Sequence, residues 1–206
     1  MTRKLDCEDM NTYKAPIEYI PDFVPDADKA FATIRDELAW EHRELTPRME
    51  YYSNDVPVPY VYGKGRGQRL YEPQPWHPVM LAIRDKLTAH TGVKFEVCFL
   101  NYYPDQSHHL GWHADSSPEM DDARPIAIVS LGVEREIWFR RQDDKTSQEA
   151  VKLGHGSLCL MAPGMQDTHY HRVPKASFNC GGRISLTYRG YVEGVVPQLE
   201  TSEQMD

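Results

Sequence analysis

A histidine and an aspartate two positions apart, His113 and Asp115, stand in the segment GWHADSSP directly after a predicted strand. In extended backbone, side chains two residues apart leave the same face, so both can reach one metal ion. A second histidine is available in THYHRVP, where His169 and His171 share a face and the spacing does not choose between them. Two histidines and one carboxylate form the facial ligand set of non-haem Fe(II) oxygenases. These residue types predict a mononuclear metal site, although a His-x-Asp pair alone is also common in surface turns.

Two further predicted strands carry polar side chains. Asn101 and Tyr103 share a face of the strand before the His-x-Asp pair, and Arg183 and Arg189 share a face of the last strand. A buried arginine needs a partner for its charge, and a carboxylate fits because guanidinium can donate two parallel hydrogen bonds to it. The arrangement predicts an anion pocket beside the metal. Solvent-facing arginines on a half-exposed strand are the alternative.

Two amphipathic helices are predicted in the first half of the chain. Apolar residues recur with helical spacing over residues 27–38, in a segment that starts at Asp26, directly after Pro25. A second periodic segment covers residues 76–87, begins at the proline-rich QPWHP and ends at Gly92, which suits a left-handed cap. Between them, PVPYVYGKGRG is rich in proline, glycine and tyrosine, which predicts a loop or a short hairpin.

The second half of the chain consists mostly of short β-forming stretches. They are FEVCFLNYY, IAIVSLG, REIWFRR, SLCLMA, THYHRV and RISLTYR, separated by turn residues. Several short strands without intervening helices predict a sandwich or barrel, and the jelly roll is a common way to protect the edges of such sheets. With the two helices, the fold class is α+β. We expect one domain over residues 15–192, a flexible N-terminus at 1–14 and an acidic tail at 193–206.

Composition narrows the class of protein. Of the 206 residues, 40% are hydrophobic and 26% are charged, which is typical of a folded globular protein. No apolar run approaches the roughly 20 residues that cross a bilayer, and the N-terminus lacks the apolar stretch of a secretory signal. The four cysteines form no close pairs, which predicts reduced thiols. We therefore expect no membrane association and a cytoplasmic location, or a nuclear one in a eukaryote.

The net charge of −8 argues against a protein that coats nucleic acid by bulk electrostatics. A nucleic-acid partner would need a local basic surface. The candidates are Lys64, Arg66 and Arg69 in GKGRGQR, and the pair Arg140 and Arg141 after an apolar run. For either patch alone, solvated surface charge is the simpler interpretation.

Four ordered motifs resemble those of AlkB-type Fe(II)/2-oxoglutarate-dependent dioxygenases. They are Asn-x-Tyr at 101–103, His-x-Asp at 113–115, His171 followed by Arg-Val-Pro, and Arg-x-Ser-x-Thr-x-Arg at 183–189. The resemblance runs from about Pro47 to Arg189 and is closest to the nucleic-acid-repairing animal members and their bacterial counterparts. It implies a double-stranded β-helix (jelly roll) with the N-terminal helices packed on one sheet.

The resemblance also implies the ligand sets. Fe(II) would be held by His113, Asp115 and His171, which leaves His169 as a neighbour. 2-Oxoglutarate would chelate the metal through its keto-acid end, with Arg183 favoured for its distal carboxylate. The residues expected to line this cosubstrate site are Asn101, Tyr103, Arg183, Ser185, Thr187 and Arg189. Relatives have asparagine at the position of the serine in this set.

Substrate contacts are implied at three positions. Tyr62, with Tyr60 nearby, aligns with the family's base-stacking residue, and His113 would supply the opposite face of the base. Ser117 stands where the repair members have an acidic residue that meets the exocyclic amino group of an alkylated base. A hydroxyl cannot compensate the positive charge of such a base, so we expect weaker selection by charge and a larger share of binding from stacking.

The implied activity is oxidative dealkylation of N-alkylated nucleic-acid bases such as 1-methyladenine and 3-methylcytosine, a DNA-repair reaction that consumes O2 and 2-oxoglutarate. Alkylated DNA is the expected partner, RNA a further one, and a monomer the expected state. One alternative keeps the same cofactors but acts on a protein or small molecule, which the acidity of the chain favours. Another is a non-catalytic metal-binding β-sandwich, which has little use for an anion pocket beside the metal.

Overall fold

The computed structural model describes residues 13–44, 46–63 and 68–195. These residues form three helices and thirteen strands, numbered in chain order. The helices are α1 (Ala27–Glu37), α2 (Pro78–Thr91) and α3 (Met165–Thr168). The strands are β1 (Ile17–Ile20), β2 (Glu41–His42), β3 (Met49–Asn54), β4 (Tyr60–Tyr62), β5 (Arg69–Tyr71), β6 (Val97–Tyr103), β7 (Leu110–His113), β8 (Ile126–Gly132), β9 (Arg135–Arg141), β10 (Gln148–Leu153), β11 (Ser157–Met161), β12 (His169–Val173) and β13 (Arg183–Arg189).

Seven strands form the larger sheet, in the order β1-β11-β8-β13-β6-β3-β2, and every neighbouring pair is antiparallel. The central strand β13 is buried along its whole length. Ile184, Leu186 and Tyr188 point into the core beneath the helices. The alternate residues of the strand line a cavity on the opposite face. The strand thus serves both as core and as a wall of the candidate site.

Helices α1 and α2 cover the outer face of this sheet. Their buried residues, among them Ile34, Met80 and Leu87, pack in one cluster with the outward side chains of the sheet. Helix α2 begins with Pro78 in its first turn and ends at Gly92, whose φ of 70° is the left-handed conformation that glycine adopts without steric cost. Both helices lie where the apolar periodicity predicts them.

The smaller sheet has the antiparallel order β10-β9-β12-β7 and faces the larger one. Between the sheets, Ile128 of the larger sheet packs in one core cluster with Ile137, Phe139 and Leu153 of the smaller. Two facing antiparallel sheets with helices outside one of them form an α+β jelly roll. The fold class predicted from the sequence is confirmed.

Strands β4 and β5 form a separate two-stranded hairpin in which Tyr60 pairs with Tyr71. An aromatic cluster connects this hairpin to the larger sheet. The Tyr71 ring meets Phe99 edge-on at 4.9 Å between centroids, and Tyr60 lies 5.7 Å from Tyr52. Within the segment PVPYVYGKGRG, the described residues Tyr60–Tyr62 thus form the first strand of a short hairpin, one of the two predicted forms. Lys64 and Arg66 lie outside the described residues.

The predictions for the chain ends fall largely outside the described residues, which begin at 13 and end at 195. The flexible N-terminus and the acidic tail therefore stay predictions. Cys98, Cys159 and Cys180 are free thiols, the first two buried, while Cys7 lies outside the described residues. None of the helices in the described ranges is long and apolar enough to cross a membrane.

Candidate metal centre and cosubstrate cavity

Three side chains with metal-binding atoms converge between the two sheets. Strand β7 ends at His113, whose direct partner on β12 is His171, and the two ring centroids lie 4.1 Å apart. The carboxylate oxygens of Asp115 lie 3.4 Å from His113 Nε2 and 3.6 Å from His171 Nε2. All three ligand atoms lie within 4.8 Å of one another. Among the described residues, this is the one group of three such side chains able to hold a metal ion.

Hydrogen bonds hold these side chains in place. His113 Nδ1 donates to the carbonyl of Gly111 at 2.9 Å, which leaves the Nε2 lone pair free for a metal. The backbone N–H of Asp115 donates to Gln166 Oε1 at 2.9 Å, and its carbonyl accepts from Arg189. Gln166, buried in α3, was not singled out from the sequence, and its support reaches across 51 residues of chain.

The protonation states suit metal binding. Burial lowers the pKa of His171 to about 3, with the neighbouring His113 ring adding to the effect, so the imidazole is neutral at physiological pH. Burial alone would raise the pKa of the Asp115 carboxyl. The His113 ring and the positive charge of Arg189 outweigh burial and bring that pKa below its usual range. A neutral imidazole and an ionised carboxylate are the forms that ligate a divalent cation.

His169 lies outside this group. Its Nδ1 lies 2.7 Å from the hydroxyl of Thr168, and its ring stacks on Tyr13 at 5.9 Å between centroids. The spacing of THYHRVP leaves two histidines equivalent. The register of β12 against β7 separates them, because it places His171 rather than His169 opposite His113.

A cavity beside the metal-binding group contains the predicted anion pocket. Arg183 is 1% exposed, its Nε donates to Ser130 Oγ at 2.9 Å, and its Nη1 has no hydrogen-bond partner in the described part of the chain. Burial lowers the pKa of this guanidinium to about 10, so it remains protonated at neutral pH. Its guanidinium lies over the Tyr103 ring at 5.5 Å. A buried cation with a free N–H edge fits a ligand carboxylate.

All six residues expected to line the cosubstrate site line this one cavity: Asn101, Tyr103, Arg183, Ser185, Thr187 and Arg189. Arg183 and Arg189 stand at opposite ends of β13. Arg189 lies at the metal end, where it also approaches Asp122 at 3.8 Å. Arg183, the arginine favoured for the distal carboxylate, thus has a buried donor without a partner among the described residues, at the end of β13 away from the metal-binding group.

The predicted substrate residues divide into two groups. Tyr60 and Tyr62 line the cavity, and the Tyr62 ring lies 6.4 Å from that of His113 with an angle of 72° between their planes. These two rings therefore stand edge to face. Ser117 does not line the cavity, and its hydroxyl is buried without a partner among the described residues.

The sequence interpretation missed one cavity-lining cation, Arg48, which is 5% exposed and forms an ion pair with the fully buried Glu50. The sequence pattern that could have revealed Arg48 is the alternation of Arg48 and Glu50 with apolar and aromatic residues at the start of β3. No strand was predicted there. Of the proposed basic pair, Arg141 binds Asp143 at 2.6 Å, whereas Arg140 stacks over Trp112 at 4.2 Å.

Comparisons with known proteins agree with this geometry. A family model described as the 2OG-Fe(II) oxygenase superfamily matches residues 17–189. The DNA oxidative demethylase ALKBH2 of Mus musculus is 32% identical over 172 residues, which cover 71% of this chain and 72% of that protein. The alpha-ketoglutarate-dependent dioxygenase alkB homolog 3 of Bos taurus is 31% identical over 188 residues, covering 82% of this chain and 64% of that protein. The solved structure of OsALKBH1 shares the fold, with a TM-score of 0.62 at 17% identity over 86% of this chain and 98% of that one.

The chain belongs to the 2OG-Fe(II) oxygenase superfamily. Within it, the resemblance to AlkB-type dioxygenases is confirmed by two relatives of that type at about 30% identity. Family membership brings Fe(II) as the cofactor and 2-oxoglutarate and O2 as cosubstrates. The residues present fit these groups, since two imidazoles and a carboxylate suit Fe(II), and the unpaired Arg183 donor suits a dicarboxylate.

Proposed function

We propose that this protein removes alkyl groups from N-alkylated bases of DNA, and also of RNA, with 1-methyladenine and 3-methylcytosine as substrates. The observation that supports this proposal most strongly is that an aromatic hairpin lies against the metal-binding group. Tyr60 and Tyr62 line the same cavity as His113, Asp115 and His171. An enzyme that acts on a base must take it out of the stack and hold it in such a pocket.

Different residues along the cavity bind the metal and the cosubstrate. His113, Asp115 and His171 would hold Fe(II) through two imidazoles and one carboxylate, the ligand set of non-haem Fe(II) oxygenases. Arg183 binds the distal carboxylate of 2-oxoglutarate through its free N–H edge. When bound, these groups supply the oxidation: O2 and 2-oxoglutarate are converted to succinate and CO2 while one oxygen atom hydroxylates the N-alkyl carbon, which leaves as an aldehyde.

The remaining side chains orient the base and enclose the reaction. Tyr62 and Tyr60 give the base an aromatic wall, and the cavity side chains Phe99, Met120 and Ile137 exclude water from the reacting groups. Two further parts of the proposal rest only on the relatives or on composition. The protein is a monomer, and it is located in the cytoplasm or, in a eukaryote, in the nucleus.

Succinate release provides the test. It should require both Fe(II) and 2-oxoglutarate and should be stimulated by methylated oligonucleotides, with one aldehyde formed per base repaired. Succinate release that unmodified oligonucleotides stimulate and methylated oligonucleotides do not would contradict the proposal. Turnover that proteins or small molecules stimulate, and methylated bases do not, would favour the alternative hydroxylase. The absence of any succinate would favour the non-catalytic module.

A further inference from the structure

A buried polar chain connects the cosubstrate site to the base-binding hairpin. We name it the Arg48 network: Asn101, Arg48, Glu50 and Tyr71. Arg48 Nε donates to Asn101 Oδ1 at 2.6 Å, and Arg48 Nη2 lies 2.6 Å from Glu50 Oε1. The hydroxyl of Tyr71 donates to Glu50 Oε2 at 2.8 Å. All four residues are less than a tenth exposed, and Glu50 is not exposed at all.

The first contact sets the orientation of an amide. Asn101 lines the cavity, and its side chain can present either an acceptor oxygen or a donor N–H2 group there. Because Arg48 can only donate, the oxygen must face Arg48, and Nδ2 is left free to donate toward the cavity. A donor is what the oxygen atoms of an acidic cosubstrate require.

The second contact stabilises the first. A buried guanidinium without a counter-charge is costly, and Glu50, the cross-strand partner of Asn101, supplies that charge. The third contact joins the hairpin. Tyr71 lies on β5, pairs with Tyr60 across the hairpin and stacks on it with ring centroids 6.2 Å apart. Glu50 therefore holds the cosubstrate amide through Arg48. Through Tyr71 it also holds the strand that pairs with the base-stacking tyrosines.

We propose that Arg48, Glu50 and Tyr71 are positioning residues that hold the Asn101 amide toward 2-oxoglutarate and fasten the base-binding hairpin to the same carboxylate, so that cosubstrate and base binding are coupled. The cosubstrate half rests on family membership, and the base half rests on the proposed function. A purely structural ion pair would contribute to folding but would leave ligand affinities unchanged.

Calorimetric titration of 2-oxoglutarate into protein loaded with Mn(II), which accepts the same ligand types as Fe(II), measures the cosubstrate half without turnover. Glu50→Gln should weaken 2-oxoglutarate binding by about 3-fold to 10-fold, since the charge that holds Arg48 is lost. Arg48→Lys, which keeps the charge but loses the planar fork, should do the same. The variants overturn the proposal if they lower the melting temperature while the affinity for 2-oxoglutarate stays within twofold.

The base half uses Tyr71→Phe, which removes one hydroxyl. Tyr51→Phe is the matched control, because Tyr51 lies on β3 beside Glu50, is 6% exposed and donates at 2.8 Å to Pro75 on the helix side. In the wild type, a 3-methylcytosine oligonucleotide should tighten 2-oxoglutarate binding about 5-fold or more. Tyr71→Phe should reduce this effect to below twofold and Tyr51→Phe should retain it. Equal behaviour of the two variants overturns the coupling.

The two proposals fail differently. If the wild type turns over no methylated oligonucleotide, and none of these oligonucleotides changes its affinity for 2-oxoglutarate, both the proposed substrate and the coupling are wrong. The titrations of Glu50→Gln and Arg48→Lys then still decide whether the network positions the cosubstrate amide. Should Glu50→Gln fail to fold, Arg48→Lys decides that question alone.

Discussion

Replacing Arg183 with methionine should raise the free energy of unfolding of the protein and at the same time weaken cosubstrate binding strongly. Burial lowers the pKa of this guanidinium from 12.5 to about 10, which corresponds to about 3 kcal/mol against the charged form in the absence of ligand. Methionine fills a similar volume without a charge. The lost hydrogen bond to Ser130 costs about 1 kcal/mol, so the net gain is about 2 kcal/mol. For a domain of this size, that raises the melting temperature by about 4 to 8 °C.

Cosubstrate binding should change in the opposite direction. Two charge-assisted hydrogen bonds to a carboxylate contribute at least about 3 kcal/mol, so Arg183→Met should weaken 2-oxoglutarate binding about 100-fold or more. Differential scanning calorimetry with and without 2-oxoglutarate measures both effects in Mn(II)-loaded protein. Arg84→Met is the control, because the Arg84 side chain is 20% exposed, pairs with Asp55 at 2.7 Å and lies away from the cavity. A melting temperature that falls for Arg183→Met, with the ligand-induced rise intact, refutes the assignment.

Three further outcomes follow from the site. His171→Ala should abolish Fe(II)-dependent turnover while His169→Ala keeps most of it, as succinate assays would show; the reverse result inverts the ligand assignment. Tyr62→Ala should raise KM for methylated oligonucleotides about 5-fold to 100-fold, the contribution of one stacking platform, and an unchanged KM would remove it from base binding. Arg140→Gln should weaken oligonucleotide binding more than Arg141→Gln, because Asp143 already neutralises Arg141; equal effects in anisotropy titrations would contradict this.

The sequence predicted the fold well where local pattern and tertiary environment agree. The strands of the second half are rich in β-branched and aromatic residues because both of their faces are buried, as in β8 and β13. Strand β10 was missed because exposed and half-buried residues alternate along QEAVKL, and only Leu153 is fully buried. Strands β1, β2 and β3 were missed because they are short or carry charges, and because β1 and β3 have partners far along the chain, in β11 and β6.

The order of the sequence motifs predicted most residues of the candidate site. It could not predict the choices that depend on the register between neighbouring strands. A period of two cannot distinguish His169 from His171, since both leave the same face of β12. Pairing of β12 with β7 over 58 residues of chain makes the choice. Similarly, Gln166 and Arg48 act through contacts distant in sequence, and no local pattern reports such contacts.

The most direct test of the central claim is the stoichiometry of turnover on a 3-methylcytosine oligonucleotide with Fe(II), 2-oxoglutarate and O2. Mass spectrometry of the oligonucleotide should show loss of one methyl group, with one formaldehyde released and at least one succinate formed for each base converted. His171→Ala should form none of these products. Succinate production that leaves every methylated oligonucleotide unchanged, in DNA and in RNA, would contradict the account of this protein as a nucleic-acid dealkylase.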